Sequence, residues 1–379
     1  MVIEQVKGFK DFSGEQATKR AEIKKIIVET FENYGFEPAE TPVIEYEKFV
    51  KSQNQQDEII SDIFKLKDKG KRKLALRYEF TFQLKRLAKN KKLPYKRYQI
   101  GPVFRDEPVS SNRFKQFTQC DIDTIGSTIK DEAEILATTK SIFDKLNIKF
   151  TIYFNNRKLL NEILEEQGIK QKEREQVIRE IDKLDKLSET EIKKNLKKYK
   201  ADKLLLIFKK PESYFKKFSS YKEIQELKKY LNYYNIKQAK FRPSLARGLS
   251  YYNATIFEIK TANTKESIAG GGSYKINNIQ STGISFGLDR LEKLAKNKKQ
   301  KSKILIISLN QDKQAIKLAE KLRTKGKNCM IYYGKPSKAL QYANSYGINE
   351  VIFVGEKEIK AKKYKIKDMK TGKENFVKI

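Results

Sequence analysis

The stretch GPVFRDEPVSSNRFKQFTQCDIDTIG, residues 101–126, decides how the rest of this chain is read. Its two ends have strand character and enclose a polar loop, and an arginine stands near each side of the turn, Arg105 and Arg113. Partners across a hairpin lie only about 5 Å apart, so the two guanidiniums converge on one region. A guanidinium offers a fork of donors and a permanent charge, which suits a phosphate chain. Phe117, Gln119 and Asp123 share parity and therefore face the same side of a regular strand. Taken alone, paired arginines in a basic protein are more often surface residues, so both readings stand at this point.

Working outward, residues 96–104 and 114–125 read as the two strands, with another over 74–80 and a helical pattern over Thr81 to Lys89. Residues 13–35 form an amphipathic pattern, with Ser13 and Gln16 as a capping box and Gly35 as the stop. In the extended piece that follows, Pro42 favours an edge or interface position. Lys130 to Leu146 reads as a helix. Residues 156–238 are heavily charged, helical in period and almost free of glycine, with a second capping box at Ser188 and Glu191. That pattern fits either solvated helices in an inserted bundle or a basic surface for RNA.

Core-like sequence returns near Phe241 and includes Gly270-Gly271-Gly272, read as a turn between two β-like segments. NKKQKSK, Asn297 to Lys303, has the composition of a linker. Beyond it, KILIISL, a helix capped by Asn310, NCMIYY, a helix with Pro336 in its first turn, and EVIFVG give a β-α-β-α-β order. That order predicts a small separate domain on a parallel or mixed sheet.

Composition narrows the chemistry. The chain has 379 residues, two cysteines far apart in sequence, and no histidine. Imidazole catalysis is excluded, and two soft ligands do not make a structural zinc site, so no zinc is expected. No apolar signal region or membrane span is evident, which leaves the cytosol as the expected compartment and no membrane partner. The formal charge of +33 attracts polyanions, although abundant lysine, isoleucine and asparagine are also the mark of codon bias.

Residues 101–126 resemble motif 2 of class II aminoacyl-tRNA synthetases, an FRxE turn, a variable loop and an R-F strand. GISFGLDRLEKL, residues 283–294, resembles motif 3, and the strand around Pro42 resembles the dimer-forming motif 1. Within that class, SLARGLSYYNATIFE, residues 244–258, is similar to the LVRGLDYY-T-FE signature of histidyl-tRNA synthetases. RYEFT, FTQCDIDTIG and SIAGGGSY resemble further segments of the same family.

The resemblance implies an α+β catalytic domain with an antiparallel sheet of six or seven strands flanked by helices, a helical insertion, and a C-terminal α/β anticodon-binding domain. The implied boundaries are 1–155 and 239–296 for the catalytic core, 156–238 for the insertion and 303–379 for the anticodon-binding domain. It implies a histidine–tRNA ligase that uses ATP and Mg²⁺, takes L-histidine and its tRNA, and works as a homodimer. Carried over by residue, Glu79, Thr81 and Gln119 hold the α-amino group, while Asp123 and Tyr252, with Tyr251 beside it, read the imidazole. Arg105 and Arg247 straddle the reacting carboxylate and α-phosphate. Arg113 and Arg290 grip the outer phosphates, and Phe117 stacks on adenine.

The sequence departs from the family pattern in two places. Ser273 and Lys275 replace the arginine and aspartate that usually follow the glycines, and Val109-Ser110 replaces a loop pair that helps to read the tRNA end. Two other readings remain: a catalytically inactive regulatory paralogue, which would lose the key arginines or the C-terminal domain, and an RNA-binding module that senses uncharged tRNA. Amino-acid-dependent ATP–pyrophosphate exchange separates both from an enzyme.

Overall fold

The computed structural model describes residues 3–51, 61–110, 113–247, 251–262, 266–296 and 302–377. Residues 111–112 of the motif 2 loop, 248–250 of the RGLSYY segment and 297–301 of the linker stretch lie outside them. The chain divides into two compact units, Met1–Lys296 and Asn297–Ile379.

In the first unit the strands are β1 (Glu37–Pro38), β2 (Ile44–Tyr46), β3 (Lys65–Lys67), β4 (Lys73–Leu76), β5 (Tyr95–Phe104), β6 (Gln116–Ile125), β7 (Thr151–Asn156), β8 (Ala239–Phe241), β9 (Thr255–Lys260), β10 (Ala269–Ile276) and β11 (Ile279–Gly287). Eight of them form one sheet in the order β1-β5-β6-β11-β10-β9-β7-β8. The six central strands run antiparallel as expected, but β1 and β8 add parallel edges, so the sheet is mixed and has eight strands. Strands of two and three residues are too short to carry a period-2 signal, which is why the sequence does not announce them.

Parity sorts the sheet into two faces. Tyr98 pairs with Ile122, and both turn towards the helix Gly14–Asn33, which buries Ile23, Ile27 and Phe31 at helical spacing. Phe31 meets Tyr98 at 5.5 Å and Phe286 at 5.9 Å between ring centroids. The helix Ile129–Lys145 packs on the same face, with Phe143 against Phe286. The opposite parity, Arg97 on β5 and Asp121 and Asp123 on β6, belongs to the face that carries the pocket. Helices between Arg157 and Tyr233 bury Leu159, Leu160, Ile163, Val177, Ile224 and Leu227 in the same core as the sheet.

Several local expectations change. Strand β4 ends at Leu76 rather than at residue 80, because Arg77 turns its guanidinium onto the carbonyls of Thr41 and Pro102, both at 2.7 Å. The helix expected over 81–89 is a single turn, Leu84–Leu87. Ser13 makes no side-chain cap; Gln16 instead donates to Glu292 at 2.7 Å, a tertiary contact that outcompetes the local one. The capping box at Ser188 and Glu191 forms. Gly35 closes the first helix with φ +76, a conformation that favours glycine.

The second unit contains β12 (Lys303–Ser308), β13 (Asn328–Tyr333), β14 (Glu350–Val354), β15 (Tyr364–Asp368) and β16 (Glu374–Val377) in the order β13-β12-β14-β15-β16. The first three are parallel and the last two antiparallel. Alternation in KILIIS supplies two cores: Ile304 and Ile306 meet Leu318 and Leu322, while Leu305 and Ile307 meet Ala339 and Ala343. Pro336 takes the first turn of its helix. Asn310 does not cap the helix Asp312–Thr324; the cap position is Gln311, whose N–H donates to Ser308 Oγ at 3.1 Å.

Candidate active site

The period of β6 builds the site. Phe117, Gln119, Asp121 and Asp123 face one way, and the register sets Gly101 and Gly287 beside Gln119, Ser285 beside Asp121, and Arg97 and Gly283 beside Asp123. Beyond β11, strand β10 brings in Gly270, Gly271 and Tyr274.

The three glycines, expected as a turn, are strand residues, and neither Gly270 nor Gly271 has positive φ. Their requirement is steric. A Cβ at Gly270 would lie 2.1 Å from Arg247 Nη1, and one at Gly271 would lie 2.0 Å from the Gly283 carbonyl oxygen. The missing side chains leave a trough through which functional groups reach the pocket.

All the candidates line this one pocket: Glu79, Thr81, Arg105, Arg113, Phe117, Gln119, Asp123, Arg247, Tyr251, Tyr252 and Arg290. At one end the groups are carboxylates and phenols. Asp123 accepts from Tyr274 Oη and pairs with Arg97 at 2.7 Å. The Tyr251 ring lies 4.6 Å from that of Tyr252 and 5.7 Å from that of Tyr274. Gln119 donates to Asp121 at 2.9 Å.

Burial dominates the electrostatics here. It pushes Glu79 up to about 8, against the opposing charge of Arg105, and pushes Asp121 up to about 7. Asp123 is also raised by burial, with Arg97 and Tyr274 working the other way. Burial likewise raises the phenols of Tyr251, Tyr252 and Tyr274.

At the other end the groups are cationic. The Arg105 guanidinium sits 4.3 Å from the ring centre of Tyr78 and 5.1 Å from that of Phe117, and donates to Gln119 at 3.4 Å. Arg113 is half exposed and pairs with Glu107 at 2.8 Å. Arg290 donates to the Ser267 carbonyl and lies 3.4 Å from Glu266. Arg247 approaches Glu258 at 3.8 Å. Burial, and then repulsion from Arg113 and Arg105, lowers Arg290 despite the attraction of Glu266. Like charges gathered in this way attract a polyanion.

The sequence reading left out Asp121, Tyr274, Arg97 and Glu107. Asp121 and Tyr274 carried a usable signal, the first through its parity with Gln119 and Asp123, the second through its place at the end of SIAGGGSY. Ser273 lies on the helix-covered face, fully buried, where its hydroxyl donates to Glu132. Burial raises Glu132 to about 7, with Ser273 and Thr255 as opposing donors. The departure at 273 is therefore removed from the pocket. Lys275 is exposed. Cys120 and Cys329 are both free and belong to different units.

Residues 8–291 match the family model described as histidyl-tRNA synthetase, and residues 303–379 match that of the anticodon binding domain. Histidine–tRNA ligase 1 of Bacillus cereus is 36% identical over 413 residues, an alignment that covers 99% of this chain and 95% of that protein. In fold, the chain superposes on histidyl-tRNA synthetase from Nostoc sp. PCC 7120 with a TM-score of 0.87 at 24% identity, covering 100% of this chain and 97% of that one. An ATP phosphoribosyltransferase regulatory subunit/histidyl-tRNA synthetase from Bacillus halodurans gives 0.79 at 20% identity, covering 93% and 98%. The match thus runs through both units, on a sheet whose one face holds carboxylates at one end and arginines at the other, and the chain belongs to the histidyl-tRNA synthetase family.

Proposed function

We propose that this chain is a histidine–tRNA ligase, which activates L-histidine with ATP and transfers it to the 3′ end of its tRNA. The observation that carries this reading is the convergence of Arg105, Arg113, Arg247 and Arg290 on one pocket with Glu79, Gln119, Asp123 and Tyr252.

In this reading Glu79, Thr81 and Gln119 receive the α-ammonium, which needs acceptors. Asp123 and Tyr252, beside Tyr251, take the two ring nitrogens, one a donor and one an acceptor. The substrate carboxylate is already a nucleophile, so no protein base is required. It attacks the α-phosphate in line; the P–O bond to the pyrophosphate breaks as the new P–O bond forms. Arg105 and Arg247 stabilise the negative charge that develops, Arg113 and Arg290 hold the outer phosphates, and Phe117 stacks on adenine. The adenylate then acylates a ribose hydroxyl, releasing AMP.

Mg²⁺ enters on the nucleotide as MgATP. No cluster of three metal-binding side chains occurs among the described residues; in this reading the ion would be carried on the phosphates of the nucleotide. Bound there, it neutralises charge on the leaving pyrophosphate.

The 303–379 unit carries the anticodon interaction in this reading, with 156–238 inserted between the two parts of the catalytic core. Ile44, Tyr46 and Leu66 are exposed on the small β2-β4-β3 sheet, with exposed Val43 between it and Pro42, an apolar face that a second copy of the chain would cover in a homodimer. Among the described residues, no helix is long and apolar enough to cross a membrane, and the proposed site of action is the cytoplasm.

The test is ATP–pyrophosphate exchange with each of the twenty amino acids. Exchange with histidine alone is expected. No exchange with any would leave a tRNA-binding or regulatory protein.

A further inference from the structure

Beneath the pocket floor lies a guanidinium that the mechanism above does not use. Arg97 has no exposed surface and is one of the largest fully buried side chains of the chain. It stands directly opposite Asp123 in the register of β5 and β6, with Nη2 2.7 Å from Asp123 Oδ2 and 3.2 Å from the Phe80 carbonyl oxygen. Its Nε and Nη1 have no hydrogen-bond partner among the described residues. An arginine buried in this way is costly unless its charge is matched.

The matching charge is shared. Arg97 offsets the burial of Asp123, of Asp121 two residues along the same strand, and of Glu79 from the segment after β4. Around Asp123 the other groups are Tyr274 from β10, which donates to its Oδ1, and Tyr252. Arg97 is therefore a buried cation common to three carboxylates, and its counter-charge is the leading one for Asp123 and Asp121, while Arg105 leads for Glu79.

Resting on the reading of this pocket as a histidine site, we propose that Arg97 is a positioning residue for ring recognition: the counter-charge that keeps Asp123 an ionised acceptor and fixes the direction of its oxygens. A protonated Asp123 would present a donor where the ring presents its own N–H, and recognition would fail. The role passes through Asp123; Arg97 itself touches no substrate.

Histidine-dependent exchange is measured from pH 6.5 to 9 at saturating ATP for wild type, Arg97→Met, Arg97→Lys and Arg97→Met/Asp121→Asn. Removing the cation raises the proton affinity of Asp123. Arg97→Met should therefore raise the KM for histidine by about tenfold or more near pH 7 and recover as the pH rises, with the KM for ATP within about twofold of wild type. Glu79 and Asp121 titrate within this range in every variant that keeps them, so the readout is the ratio to wild type at each pH. Arg97→Lys should follow the wild-type profile, whereas the excess KM of Arg97→Met should shrink as the pH rises. The double variant should regain much of the loss, since one carboxylate has gone with the cation.

A KM increase that does not change with pH and is not relieved by Asp121→Asn would mean that Arg97 only packs, and would overturn the inference. So would an Arg97→Lys as impaired as the neutral variant. If Arg97→Met does not fold, Arg97→Gln, which keeps a donor without charge, is read in the same series with the same expectations. Wild type without histidine-dependent exchange would instead remove the functional reading beneath it.

Discussion

Gly283 stands directly across from Asp123 in the register of β11 and β6, and a Cβ at position 283 would lie 2.1 Å from Asp123 Oδ1. The carboxylate occupies the space that a side chain would fill. Gly283→Ala therefore displaces Asp123, the proposed ring acceptor, while leaving the arginines in place. The expected result is a KM for histidine raised by about tenfold or more, with ATP affinity near wild type. Isothermal titration with each ligand separately checks both halves.

Gly270 stands in a similar relation to Arg247, but the atom in the way is the end of a flexible side chain. Gly270→Ala should cost little stability and much activity, because Arg247 swings aside. Exchange should fall towards the loss expected for Arg247→Ala, roughly 10²–10³-fold for one charge-stabilising donor. Near-wild-type exchange in Arg247→Ala would remove that residue from the mechanism.

Glu132 offers a test in stability rather than catalysis. Its carboxyl is raised to about 7, so the protonated form is preferred in the folded chain. The stabilising effect is complete below the ordinary glutamate value and is lost as pH rises towards 7. Glu132→Gln does not titrate, so the variant should gain on wild type between pH 5 and pH 8, by up to about 3 kcal/mol. Urea denaturation at the two pH values measures the difference; a gap independent of pH would contradict the assignment.

What the sequence disclosed depended on distance along the chain. Phe117, Gln119 and Asp123 were legible because a strand repeats every two residues. The functional end of β10 was legible as SIAGGGSY, though its glycines looked like a turn, since a steric need and a conformational one leave the same letter. Arg97 was not legible: it meets Asp123 only through the pairing of β5 with β6. Ser13 failed as a cap for the same reason, because the partner that engages Gln16 is Glu292, 276 residues away.

The apolar face beside Pro42 predicts association. Ile44 is 49% exposed and Tyr46 58%. In the proposed homodimer this face is the interface, so sedimentation equilibrium should give a dimer for wild type and a folded monomer for Ile44→Asp. An unchanged mass would place the interface elsewhere.

The charge of +33 predicts that tRNA binding weakens steeply with salt. The logarithm of the association constant should fall linearly with the logarithm of salt concentration, with a slope that reports the number of phosphates neutralised. A slope near zero would leave the charge as a product of composition.

The two ends of the pocket are built from different materials, and this matters for any molecule designed to block it. The ring end is cast from neighbouring strands, with Gly271 and Gly283 too closely approached to accept a side chain and Arg97 locked beneath. An inhibitor aimed there meets a rigid mould, so potency should depend steeply on shape, and resistance would have to break the sheet. The cationic end relies on long side chains such as Arg113, half exposed and paired with Glu107. Compounds that reach only that end would meet an adaptable surface, from which resistance is easily bred.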